Sequence, residues 1–345
     1  MFKPQYTITN KLLANIKRIN ELVIDLNNRH FPDVILMDFE KKARILSTYA
    51  STSIEGNPLP LTEVKKVLKS KSEHIRDTEK EVLNYNQALE SLNDNLQKGK
   101  VKQLRPDLIL NIHKQVVKGL LPEHQVGHWR KEPVQILDPH SQQAVFLPPD
   151  WQLVPNLIKE LLIFVNQNKD KIDSLIIAGV FHKQFVLIHP FMDGNGRTTR
   201  LLTKLLLADM GLNTFNLFSF ENYYNQNVTK YFQKVGEFGD YNELLKQDKV
   251  DFTQWLEYFT DGLIDELLRV KKILPLSAQS PEQQLKDHHQ AILKYLQTHP
   301  FITDSDYAKL VDRAKATRAL DFNFLIEQGL IKRKGQGKNT HYVLN

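Results

Sequence analysis

Residues 189–200 read His189-Pro190-Phe191-Met192-Asp193-Gly194-Asn195-Gly196-Arg197-Thr198-Thr199-Arg200, a loop that feeds straight into a helix. Leu201, Leu202, Leu205 and Leu206 give that helix a face to bury, and Gly211 ends it. Gly194 and Gly196 let the backbone approach a ligand closely, with its amides pointing outward. A helix N-terminus of this kind favours anions, above all phosphate. Arg197 and Arg200 are three apart, so both guanidinium groups lie on one side of the first turn. Two such forks beside a glycine-rich turn suit a polyphosphate better than a single carboxylate. Asp193, at the mouth of the loop, is placed to hold Mg²⁺ bridging the phosphates. His189 lies just before it, where a neutral imidazole can take a proton from an incoming hydroxyl. Singly, each feature has an ordinary reading as a turn or a capping residue; their combination in one window points to chemistry. A metal-hydrolase reading of His182, His189 and Asp193 is weaker, because the paired spacing His-Glu-x-x-His is absent.

Helical periodicity dominates outward from this window. Leu12, Leu13, Ile16, Ile19, Leu22, Val23 and Leu26 predict one buried stripe. A second helix is predicted from Asp33 to Ser53, stopping at Glu55-Gly56-Asn57-Pro58. A long helix follows over Thr78 to Leu96, and Pro106-Asp107 opens another. Val134 to Leu147 reads differently: two short apolar runs flank Asp138-Pro139-His140-Ser141, which is hairpin chemistry. Helices resume at Asp150 to Gln167, Asp173 to Ile188, Gly196 to Met210 and Asp251 to Ile273, before a linker at Pro275 to Pro281.

The 345 residues suffice for two or three domains, and 25% charged residues is ordinary for a globular chain. A net charge of +6, spread along the chain, mildly favours acidic partners without requiring nucleic acid. The absence of cysteine excludes disulfides and thiolate metal sites. The N-terminus lacks the apolar core of a signal peptide and no apolar run is long enough to span a bilayer, so the expected address is cytoplasmic, with no membrane partner.

The window matches the Fic motif His-Pro-Phe-x-Asp/Glu-Gly-Asn-Gly-Arg-x-x-Arg at every fixed position, and the chain resembles the Fic/Doc family of protein adenylyltransferases through about Gly262. The lead-in Phe181 to Ile188 is similar too, departing at Val186, where many members carry glutamate. The resemblance implies a mainly α fold: a helical bundle with an inserted β-hairpin flap. It implies His189 as general base for a Ser, Thr or Tyr hydroxyl attacking the α-phosphate of ATP, with Asp193 on Mg²⁺ and Phe191 as anchor. Gly194, Asn195 and Gly196 would form the anion cradle, and Arg197 and Arg200 would hold the β- and γ-phosphates. Val134, Gln135 and Ile136 would lie on a flap that docks the target by strand addition. Asn227 and Tyr231 resemble positions lining the adenosine pocket. Ser51-Thr52-Ser53-Ile54-Glu55-Gly56-Asn57 resembles the family's inhibitory motif Ser/Thr-x-x-x-Glu-Gly/Asn, which would pair Glu55 with Arg200. A negative charge at a helix C-terminus is unfavourable by itself, so Glu55 needs a compensating cation.

Beyond Leu285 the chain reads as three helices and a two-stranded wing, which resembles a winged helix. Leu320, Phe324 and Leu325 are expected to face inward, whereas Lys315, Thr317, Arg318, Lys332, Arg333, Lys334 and Lys338 could meet DNA. His288 and His289, being adjacent, are expected to face different sides. Four segments are expected: 1–105 with the inhibitory motif, 106–262 as the Fic core, 263–284 as connecting helix and linker, and 285–345 as the winged-helix-like module. The expected function is AMP transfer from Mg–ATP to a protein hydroxyl, the chain's own included. The alternatives are a DNA-binding regulator with a nucleotide-sensing core, or a Fic enzyme that removes AMP or transfers another phosphate-containing group. A homodimer stays open.

Overall fold

The computed structural model describes all residues except 1, 30–32, 70–74, 99–103, 138–142, 210, 213–215, 247–249, 275–284 and 345. The turn expected at Asp138 to Ser141 and the linker at Pro275 to Pro281 therefore lie outside the described residues. The chain is mainly α. In order come α1 (Asn10–Asn27), α2 (Asp33–Ile54), α3 (Leu61–Val67), α4 (Asp77–Gln97) and α5 (Pro106–Val116). Strands β1 (Ile136–Leu137) and β2 (Ala144–Leu147) follow, then α6 (Val154–Asn168), α7 (Ser174–Ile188) and α8 (Asn195–Asp209). Next are α9 (Glu221–Gln226), α10 (Val228–Val235), β3 (Gly239–Asp240), α11 (Tyr241–Lys246) and α12 (Thr253–Ile273). The C-terminal elements are α13 (Asp287–Thr298), α14 (Asp304–Leu310), α15 (Lys315–Glu327), β4 (Ile331–Lys334) and β5 (His341–Leu344).

Two compact units emerge, one of residues 1–23 and 43–267, the other of residues 24–42 and 268–345. In the first, α7 is the central helix. Its sequence is apolar all round, as a helix buried on every side must be, and it packs between α6 and α8. Asp173 starts it by accepting the Leu175 N–H at 2.8 Å. His189 closes it in the left-handed region (φ 50, ψ 61), and Pro190 prevents continuation. α8 rests against α4 and α5, and these contacts set the loop between α7 and α8. Leu12, Ile16, Ile19, Leu22 and Leu26 are buried as expected, but Leu13 is 58% exposed because it sits one residue off the stripe.

The small sheet has the order β1-β2-β3. β1 and β2 are antiparallel, with Ile136 opposite Phe146 and Leu137 opposite Ala144. β3 joins β2 in parallel, with Phe146 opposite Gly239. That third strand, a Gly-Asp dipeptide, gives no strand signal in sequence.

In the second unit, Ile292, Leu293, Leu296, Ile302, Tyr307, Phe322, Leu325, Leu330 and Ile331 form the core, with Phe39 packed against it. Thr303 caps α14 reciprocally with Asp306. β4 and β5 pair antiparallel from Ile331–Leu344 to Lys334–His341. Two expectations fail here. Leu320 is 66% exposed, since the inward face of α15 is set by Asp321, Phe322 and Leu325. His288 and His289 do not diverge: both Nε2 atoms face Asp321 Oδ1, at 3.4 and 3.5 Å. In the first turn of α13 side-chain torsions bring both rings to one carboxylate.

Candidate active site

The loop between α7 and α8 is held by side chains that turn back onto its own backbone. Asn195 accepts the Phe191 N–H and donates to the Phe191 carbonyl, both at 2.9 Å. Phe191 is fully buried, stacked on His113 with ring centroids 3.6 Å apart and flanked by Trp129. His113 Nδ1 accepts the Gly127 N–H at 3.1 Å, so its proton sits on Nε2 and is donated to the Asp193 carbonyl at 3.0 Å. Burial drives the His113 pKa down to about 4, which keeps that tautomer neutral. Arg130 fastens the flap to the loop: its N–H donates to Pro190 O at 2.9 Å and its Nε to His189 O at 2.8 Å. Its guanidinium also donates to Glu132 O and Pro149 O at the flap's base.

His189 Nδ1 faces the Val186 carbonyl at 3.3 Å. A carbonyl only accepts, so Nδ1 carries the proton and the Nε2 lone pair is the basic one. Burial lowers the His189 pKa to about 4, so the ring is neutral at pH 7. Gly194 adopts φ +78, and a Cβ there would lie 2.6 Å from Val117 Cγ1. At Gly196 a Cβ would run into the Glu55 carboxylate and lie 3.0 Å from Arg200 Nη1. Glu55 therefore occupies the space directly over the first turn of α8.

Both cradle arginines are already engaged. Arg200 is wholly buried, with Nη2 2.7 Å from Glu55 Oε1, Nε donating to Ser51 Oγ at 2.7 Å and Nη2 to Ser51 O at 2.8 Å. Burial pulls its pKa down, but the Glu55 carboxylate outweighs this and leaves it above the ordinary value. Arg197 meets Glu81 Oε1 on α4 and Asp193 Oδ2, each at 2.7 Å. Among the described residues Arg197 Nε has no hydrogen-bond partner, and Arg200 Nη1 has none of good geometry, although the guanidinium lies close enough to Tyr231 to act on its hydroxyl. Orphaned, buried guanidinium nitrogens beside a glycine turn fit a polyphosphate. Asp193 is half-exposed at the loop mouth. Burial pushes its pKa up, and Arg197 and the Gly194 amide overcome this, so its carboxylate is ionised and offers the hard oxygen Mg²⁺ prefers.

The residues farther along the chain are placed differently. Asn227 caps α10 by accepting the Lys230 N–H at 3.0 Å. Tyr231 is buried among aromatic rings, and its hydroxyl meets His182 Nε2 at 3.0 Å. His182 Nδ1 meets Thr203 Oγ1 at 2.9 Å, so both its nitrogens are spent on hydroxyls and the metal-hydrolase alternative loses a ligand. Val134, Gln135 and Ile136 lead into β1, whose far edge has no strand beside it among the described residues. Sequence reading placed Asn57 in the inhibitory stretch without a role of its own, and it missed Glu81, His113 and Arg130. Each is an ordinary polar residue whose partner lies far away in the chain.

Residues 103–207 match the Fic/DOC family. The chain is 30% identical over 176 residues to protein adenylyltransferase fic-1 of Caenorhabditis elegans, covering 50% of this chain and 33% of that one. It is 28% identical over 258 residues to protein adenylyltransferase Fic of Nematostella vectensis, covering 72% and 54%. It thus spans about a third to a half of these curated relatives. A crystal structure of a Fic family protein from Desulfovibrio desulfuricans superposes with a TM-score of 0.65 at 21% identity, covering 100% of this chain and 98% of that one. That likeness establishes the shared fold.

Proposed function

Because the chain carries a Fic domain, we propose that it is a protein adenylyltransferase held inactive by its own Glu55. The observation that carries this reading is the Glu55 carboxylate, paired with buried Arg200 and seated over Gly196 where a phosphate would lie. The substrate is ATP with Mg²⁺, which neutralises charge on the phosphates when bound at Asp193. His189 Nε2 takes the proton of a Ser, Thr or Tyr hydroxyl. The hydroxyl oxygen then bonds to the α-phosphorus, and pyrophosphate leaves with the electrons of the broken P–O bond. Arg197 and Arg200 hold the β- and γ-phosphates once their carboxylates give way, and the loop amides orient the chain. The outer edge of β1, which has no strand beside it among the described residues, pairs with an extended target segment, and a loop of the chain itself is one such target.

Ion pairing at Arg200 steers the γ-phosphate out of the geometry for in-line attack, and such misplacement costs about a hundredfold in rate. Intact mass measurement after incubation with Mg–ATP tests the activity: the addition of one AMP to protein supports it. No adduct on itself or on any protein, even with Glu55→Gly, would refute it.

A second role, duplex DNA binding by the C-terminal module, is favoured by the exposed run Lys332-Arg333-Lys334 on β4. Arg318 contributes nothing to it, being held by both Asp304 oxygens at 2.8 Å, and the Lys338 side chain lies outside the described residues. Loss of retardation of a duplex at low salt in the Lys332→Ala/Arg333→Ala variant would support the role; no retardation by the wild type would exclude it.

A further inference from the structure

Glu55 does not hold its place through Arg200 alone. Two residues on, Asn57 is buried and every polar atom of its side chain is used. Its Nδ2 donates to the Thr78 carbonyl at 2.8 Å and to Glu81 Oε2 at 2.6 Å, while its Oδ1 accepts the Leu59 N–H at 3.1 Å. Its own N–H donates to Thr52 O at 3.1 Å, which binds this turn to the end of α2. Asn57 thus pins the segment bearing Glu55 onto α4. Glu81 carries the connection further, because its other oxygen lies 2.7 Å from Arg197 Nη1. Arg197 in turn reaches Asp193 at 2.7 Å. One unbroken chain of polar contacts, Asn57–Glu81–Arg197–Asp193, joins the inhibitory segment to the mouth of the cradle.

The energetics of that chain give it a direction. The Glu81 carboxylate is mostly buried, with 15% of its side chain exposed, and Arg197 is the one cation paired with it among the described residues. Drawing Arg197 toward an incoming anion leaves a poorly solvated negative charge whose remaining support is the Asn57 amide. Such a charge moves toward water or takes a proton, and in either case Asn57 loses its strongest acceptor. We propose that Asn57 and Glu81 form a latch that seats Glu55 over the cradle, and that a phosphate group arriving at Arg197 opens it. Both act as positioning residues, through Glu55 and Arg197. Linkage requires the converse: whatever seats Glu55 more firmly weakens phosphate binding at Arg197 by the same factor.

The proposal rests on the autoinhibited reading above, and its test separates the two. Labelled-AMP incorporation and equilibrium ATP affinity are measured for the full chain as wild type, Glu55→Gly, Asn57→Ala, Asn57→Asp and Glu55→Gly/Asn57→Ala, with melting temperatures as a check on folding. Losing a hydrogen bond to a charged group predicts a rise of about tenfold in both transfer rate and ATP affinity for Asn57→Ala. Asn57→Asp keeps the acceptor for Leu59 but sets a carboxylate against Glu81, so it is activated at least as much, and it decides the matter if Asn57→Ala does not fold. With Glu55 gone there is nothing left to seat, so the double variant is no faster than Glu55→Gly. A generally loosened structure would lack that saturation. Activation of Glu55→Gly with folded Asn57 variants at the wild-type rate would overturn the latch alone. A double variant that multiplies the two effects would also overturn it. Glu55→Gly at the wild-type rate would overturn the autoinhibited reading and the latch with it.

Discussion

Two of the chain's arginine–carboxylate pairs, one in the cradle and one in the C-terminal module, differ in which partner is buried. In the cradle, Arg200 is sealed from solvent, and its carboxylate partner Glu55 is supplied from the end of α2. In the C-terminal module, Asp321 is the buried group and is surrounded by donors. Tyr307 donates to it at 2.8 Å, Arg313 lies 2.9 Å away, and two imidazoles close the ring at 3.4 and 3.5 Å. On the proposed reading, the first arrangement gives up its acid to an incoming phosphate. The second gathers a hydroxyl, a guanidinium and two imidazoles on one internal carboxylate, with His289 Nδ1 left over, and so it ties α13, α14 and α15 together.

That contrast can be broken most sharply at the base. His189→Ala removes the proton acceptor but leaves the guanidinium groups and loop amides, so AMP transfer should fall by about a thousandfold with ATP affinity nearly intact. Single-turnover transfer and equilibrium nucleotide binding check it; equal loss of binding would mean the histidine supports the cradle instead. Asp321→Asn should do the opposite. It strips the charge from a joint, costing roughly 2 kcal/mol of stability, discounted because Arg313 reaches water, and should leave AMP transfer unchanged. Denaturant unfolding of the two variants side by side would show whether the effects separate.

A smaller effect is expected in the pH profile. The His189 pKa of about 4 makes the free enzyme's base available above that value, so kcat/KM should rise with pH through about 4 and level off above it. The Glu55 carboxylate raises that pKa, so in Glu55→Gly the limb should move lower still. A limb near 6.5 would mean that the ring is solvated in the working enzyme. The smallest change concerns the wing: if Lys332 and Arg333 each touch a phosphate, replacing either with alanine should lower the salt slope of DNA binding by about one.

Much of this was legible in the sequence because regular patterns and short-range chemistry carry it. The helix ends at Gly56 and Pro106, the burial of α7 and the loop from His189 to Arg200 follow from local residue types. So does the meeting of Glu55 with Arg200, once the inhibitory resemblance is applied. What stayed hidden depends on distance or on single torsions. Glu81 looks like any surface acid of an amphipathic helix until α4 is laid against α8. His113 and Arg130 act through backbone groups, which no side-chain pattern reports. The adjacent His288 and His289 would diverge on an ideal helix and instead share Asp321. β3 exists because β2 offers an edge to Gly239 and Asp240, whose own propensity opposes it.

The central claim is that Glu55 holds Arg200 away from the γ-phosphate, and one comparison tests it directly. Labelled-AMP incorporation is measured for wild type, Glu55→Gly, Arg200→Ala and the double variant under identical Mg–ATP. Glu55→Gly should be about a hundredfold faster than wild type, self-modification included, with little change in melting temperature. Arg200→Ala should not be activated, because it frees no arginine, and the double variant should stay as slow as Arg200→Ala. Glu55→Gly no faster than wild type, or a double variant as fast as Glu55→Gly, would contradict the account.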